Sequence, residues 1–235
     1  MTPSGFRSVG LAANLTHSVA PLPSLAETTS PSGALRAEGE AGLCLARPSV
    51  RMQLRAATDD VHQALHRAAP FAAIADGRET LAGYGQTLLG LYRFHAAMLD
   101  MCMAGAAALG ADMLGKAHAA RIVALAGDLA HLGLAAPPAV AEEPGERAFC
   151  AGLLYTVQGS TLGGKVIFRQ LDALLPDARG RGFFQGTADD ALHWKMLCAA
   201  LESCGDIAAL EAGARYGFAR FAALLCGGQR ELLPG

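Results

Sequence analysis

Gly152, Gly159, Gly163 and Gly164 fall within residues 148–175, a stretch that otherwise has the apolar period of a helix. A helix-interior glycine costs about 1 kcal/mol relative to alanine, so the cluster implies that the backbone itself approaches something closely. Gly159 and Gly163 are four residues apart and share one helix face, which they strip of side chains. A flat ligand can lie directly against such a backbone. Gln158 and Ser160 flank Gly159 and offer groups that hold water. About a hundred residues earlier, Arg55 precedes His62 by seven residues, two helical turns, so the two lie on one face with Thr58 between them. A neutral imidazole there can serve as a metal ligand. His66, four residues beyond His62, gives the pair the spacing of a metal chelate. No HExxH motif and no third ligand accompanies the pair, so a zinc site is the weaker reading. Each residue type also has a plainer use: close helix packing for the glycines, and a solvated helix surface for His62, Arg55 and any lone lysine.

Composition narrows the setting. The chain has 235 residues and a formal net charge of −2, which gives no electrostatic case for nucleic acid. The most apolar run, 101–111, is bounded by Asp100 and Asp112 and is far shorter than the roughly 20 residues of a spanning helix. The six cysteines (Cys44, Cys102, Cys150, Cys198, Cys204, Cys226) show no CxxC spacing and read as buried free thiols in a reducing compartment. A soluble, cytoplasmic protein is expected. Residues 1–51 are rich in Ser, Pro, Gly and Ala, with prolines at 3, 21, 23, 31 and 48, and are expected to form a disordered N-terminal extension. They lack the basic start and apolar block of a signal peptide and are too acidic for a transit peptide. Met52 stands just ahead of the first amphipathic helix and offers an alternative start.

Residues 52–228 read as one all-α domain, with helices expected at 53–68, 79–109, 111–132, 146–175, 187–203 and 206–225. Pro70 is expected to stop the first, and a loop, 177–186, carries Phe183 and Phe184. Short connections between long helices favour a compact bundle.

Leu54-Arg55-x-Ala57-Thr58-x-x-x-His62 resembles the proximal-helix motif of the biliverdin-producing haem oxygenases. Tyr155-Thr156-Val157-Gln158-Gly159-Ser160-Thr161-Leu162-Gly163-Gly164 resembles their distal helix. The version here is most similar to the bacterial branch that supplies biliverdin to bacteriophytochromes, which Gly182-Phe183-Phe184 and Trp194 also match. The similarity covers about residues 54–225. It implies a single-domain, multi-helical haem oxygenase-like bundle that opens haem, at once substrate and cofactor, to biliverdin, carbon monoxide and ferrous iron.

By the same resemblance His62 ligates the haem iron, while Arg55, Thr58, Tyr155, Gly164 and Lys195 help to bind the haem. Gln158, Gly159, Ser160 and Gly163 form the catalytic distal wall. Electrons come from a separate reductase or ferredoxin, since no flavin or nicotinamide fingerprint is present; Lys165 and Arg169 offer a docking face. A bacteriophytochrome is the implied acceptor of biliverdin. The chain departs from the family pattern at four positions. His66 stands where a carboxylate usually polarises the proximal imidazole, and Ser160 replaces an aspartate of the mammalian-type enzymes. Gln158 replaces a glutamate, and Ala199 a third basic residue. Phe183, Phe184, Trp194, Phe218 and Phe221 are expected in the core. Gln158 and His66 motivate a rival, a haem-binding sensor or carrier without turnover. A thiaminase-like enzyme on the same bundle would need a cysteine nucleophile paired with a carboxylate, and no such pairing is visible.

Overall fold

The computed structural model describes residues 47–226, and among them every element is helical. In chain order these are α1 (Val50–His66), α2 (Ala69–Ala75), α3 (Leu81–Ala97), α4 (Leu99–Ala108), α5 (Asp112–His131), α6 (Arg147–Gln170), α7 (Gly182–Gln185), α8 (Asp190–Leu201) and α9 (Ile207–Cys226). The expected all-α class holds. The expected disorder of residues 1–46, and Cys44 within them, lie outside the described residues.

Several boundaries differ from the sequence reading. The first helix begins at Val50 instead of 53, because the Ser49 hydroxyl caps the Met52 N–H and Glu202 accepts from the Val50 N–H. α1 therefore takes in residues 50–51, which the sequence reading assigned to the extension. The first helix ends at His66, ahead of Pro70 as expected, and Pro70 itself opens α2, since a proline in the first turn lacks only an N–H that has no intrahelical partner. The single helix expected over 79–109 is divided at Met98 into α3 and α4. The glycine-bearing helix ends at Gln170, with turns rather than helix over 171–174. In the loop 177–186, the Gly182 and Phe183 N–H groups both donate to Asp128 at 2.8 Å, and this fixes the single turn of α7.

α6 is the central helix and packs against α4, α7, α8 and α9. A side chain at Gly105 would collide with the Cys150 backbone, one at Gly152 with Leu210, and one at Gly213 with Phe149. Those glycines bring α4, α6 and α9 into backbone contact, and the plainer reading of Gly152 is correct. Leu54, Leu88, Leu114, Leu153 and Leu197 are fully buried around this sandwich. α1 lies on α9 and touches α8. Arg215 of α9 fixes its position, gripping both carboxylate oxygens of Asp60 at 2.8 and 3.0 Å. Among the described residues no helix is long and apolar enough to cross a membrane, and Cys102, Cys150, Cys198 and Cys204 are free thiols.

Candidate functional site

Tyr155, Gly159 and Gly163 follow one another at intervals of four along one face of α6. The face is bare only at its far end. A side chain built at Gly163 would meet nothing within 4 Å, whereas one at Gly159 would touch the Trp194 ring at 3.5 Å. Trp194 of α8 also lies against the Tyr155 ring, with centroids 5.3 Å apart, and carries the Arg51 guanidinium 5.9 Å from its ring centre. The indole thus links α1 to α6 and closes one end of the space beside the glycines. Arg55 and Lys195 are exposed. Burial raises the Tyr155 pKa, while Arg51 and Arg55 act on its hydroxyl in the opposite direction. Two side chains of positive charge, Arg51 and Arg55, therefore sit near this end.

His62 is exposed on α1 and meets the Phe218 ring edge-on, with centroids 5.9 Å apart. Its Nε2 lies 3.3 Å from Nε2 of His66. Partial desolvation, then the neighbouring His66, hold its pKa below the ordinary histidine value. It is therefore neutral at neutral pH, the form that ligates a metal.

Three residues expected on the ligand face turn elsewhere. Gln158 is 3% exposed, and its Nε2 donates to the Leu114 carbonyl of α5 at 3.2 Å. Thr58 is buried with its hydroxyl donating to the Leu54 carbonyl at 2.8 Å. Gly164 faces α7, where a side chain would stand 3.1 Å from the Phe184 carbonyl oxygen. The cause is helical geometry: one residue turns the chain by about 100°, so 158 and 164 point away from 159 and 163. Ser160 is exposed, and its hydroxyl donates to the Val157 carbonyl at 2.7 Å. Phe183, Phe184 and Phe221 are buried as expected, whereas Trp194 is only partly so.

Sequence reasoning missed two features. Arg51 fell in the assigned extension, although its four-residue spacing from Arg55 marks the same face. The second is a buried cluster of His95, His118 and Arg121. Here the His118 Nε2 donates to the His95 carbonyl at 3.0 Å, and the Arg121 guanidinium lies 4.3 Å from the Phe183 ring centre. Both ring nitrogens of His95 and Nδ1 of His118 are buried without a hydrogen-bond partner. A histidine inside an apolar helical run was the signal. A cavity of about 160 Å³ lined by Ile74, Gly77, Glu79 and Leu171 lies away from the glycine face and is too small for a tetrapyrrole.

A curated heme oxygenase from Xanthomonas campestris pv. campestris (strain 8004) is 36% identical to this chain over 106 residues. The match takes in 43% of this chain and 64% of that relative, so the chain spans somewhat under two thirds of its length. No family model matches the chain.

Proposed function

We propose that this chain is a haem oxygenase, opening haem to biliverdin, carbon monoxide and ferrous iron with oxygen and electrons from a separate reductase or ferredoxin. The observation that carries the reading is the 36% identity to a protein named heme oxygenase, and two local features support it. Gly163 leaves room against the α6 backbone, and the donor set pairs a neutral imidazole with cations. Haem supplies the iron that activates oxygen and is also the molecule cleaved.

His62 would hold the iron through a ring nitrogen. Arg55 and Lys195, joined by Arg51, would pair with the two propionates. Trp194 and Tyr155 would limit how far the ligand slides along α6 and exclude water at that end. Gly159 and Gly163 would set the backbone wall, with the Ser160 oxygen free to accept a hydrogen bond from water. Gln158, turned into α5, is withdrawn from the distal set, as are Thr58 and Gly164 from the haem contacts. The protein works in the cytoplasm, and its biliverdin passes to a photoreceptor of the bacteriophytochrome type.

One observation favours a second reading, a haem sensor or carrier. α6, from Arg147 to Gln170, contains no carboxylate at all, so no side-chain acid on that helix can exchange protons at the distal face. Haem added to the protein, followed by reductant under air, separates the two. Conversion of the Soret band into a broad red-absorbing pigment supports the oxygenase. A stable ferrous-oxy or ferric spectrum moves the assignment to the carrier, and no Soret shift on adding haem rejects both.

A further inference from the structure

We infer that His62 and His66 form a two-imidazole chelate for a divalent transition ion of the zinc type, sharing His62 with the haem site so that each ligand excludes the other. Zinc binds imidazole nitrogen at about 2.0–2.1 Å in tetrahedral sites, which places two such nitrogens about 3.3–3.4 Å apart. The two Nε2 atoms stand 3.3 Å apart, on rings set edge-on at 89° with centroids 4.5 Å apart. That separation is long for a nitrogen–nitrogen hydrogen bond and suits a shared ion better. Both residues are exposed on the last two turns of α1, so an ion need not shed all of its water to enter. Asp59, one turn before His62, sits close enough to act on that imidazole electrostatically and would offset part of the added charge. Among the described residues no cluster of three His, Cys, Asp or Glu side chains could hold a metal. Water therefore completes the shell, and the affinity is that of a two-ligand site. Ions later in the first transition row bind such nitrogen pairs better, with copper above zinc.

Exclusion of haem by the ion rests on the proposed role of His62, whereas the chelate rests on the imidazole geometry alone. The test uses the full chain without haem, titrated with Zn²⁺ against a chromophoric chelator. The unaltered protein is expected to bind one zinc equivalent at least about tenfold more tightly than His62→Ala or His66→Ala, in which the chelate falls to one ligand. His66→Gln serves as a second variant that keeps a polar side chain at this exposed position. Equal zinc binding by the unaltered protein and both His66 variants overturns the chelate. Hemin is then titrated with and without saturating Zn²⁺. Zinc is expected to weaken hemin binding in the unaltered protein and to leave it unchanged in His66→Ala. Hemin binding that ignores zinc in the unaltered protein overturns the sharing of His62. Failure of hemin to bind under any condition sinks the haem reading, while the zinc titration still decides the chelate.

Discussion

Gln158 of α6 and Leu114 of α5 are joined by a 3.2 Å hydrogen bond from the side-chain amide to the main-chain carbonyl. That bond commits the side chain to an interhelical contact and removes it from the glycine face. A glutamate here would set a carboxylate against a carbonyl oxygen in the core, with no donor to replace the amide. We expect Gln158→Glu to destabilise the fold by about 1–3 kcal/mol and not to accelerate haem turnover. Chemical denaturation and single-turnover decay of the ferrous-oxy complex are the measurements. Faster pigment formation at unchanged stability would place this side chain on the distal face after all.

His62→Ala should leave α1 intact, since alanine is the better helix former. Haem should still associate with the face, but the five-coordinate histidine spectrum should vanish and return in part with added imidazole. His66→Ala should keep that spectrum. The opposite pattern would show that the iron ligand lies one turn further along α1.

A chain beginning at Met52 should be less stable than one beginning at Arg47. It loses the Ser49 cap, the buried Val50 side chain and the Arg51 contact with Trp194. A lost cap and a lost buried valine together amount to about 2–4 kcal/mol. The chain from Arg47 should melt with the full-length protein. Coincident melting of all three chains would mean that the first turn of α1 adds nothing.

The helical class was legible because apolar periodicity is set by the same burial that packs the bundle, and Leu54, Leu88 and Leu91 occupy the core positions that the pattern marks. The breaks at Met98 and after Gln170 were not, since neither is marked by glycine or proline. At the candidate site the glycines were visible, but their partners were not. Gly152, Gly159, Gly163 and Gly164 look alike in sequence, yet they face a backbone, an indole, open space and a carbonyl respectively. Which of these a glycine meets depends on neighbours about 20 to 60 residues away in the chain (Phe184, Trp194, Leu210).

The buried histidines make acid a specific stress. His118 titrates at about 4 in the fold, and His95 is held well below the ordinary value; burial is the main cause for both, with Arg121 adding to each. Unfolded, both titrate near 6.5. Above that pH neither state binds the proton and the histidines cost nothing. As pH falls from 6.5 towards 4, the unfolded chain takes up protons that the folded one refuses, and stability declines. For His118 alone the loss reaches about 3 kcal/mol, at about 1.4 kcal/mol per pH unit. Unfolding free energy measured at pH 7 and pH 4.5 should therefore fall less steeply in His118→Gln than in the unaltered protein. Equal slopes would show that the buried imidazole is already protonated in the fold.

Gly163 and Gly164 are adjacent and chemically identical, yet substitution should separate ligand space from packing. A side chain at Gly163 meets nothing within 4 Å, so Gly163→Leu should fold with little change in melting temperature beyond the gain of a better helix former. It would still fill the space against α6 proposed for haem, and haem affinity or turnover should collapse. Gly164→Leu drives its side chain at the Phe184 backbone, 3.1 Å from the carbonyl oxygen even for a bare methyl. That segment is held by Asp128 through the Gly182 and Phe183 N–H groups and cannot easily retreat. Overpacking of this kind typically costs 1–3 kcal/mol, so Gly164→Leu should lower the melting temperature first and alter haem binding only through lost structure. Thermal melts paired with haem titrations decide the matter. If Gly163→Leu binds haem normally, the open face of α6 is not where the ligand sits. If both variants unfold alike, the space beside Gly163 is filled in solution and the glycines serve packing alone.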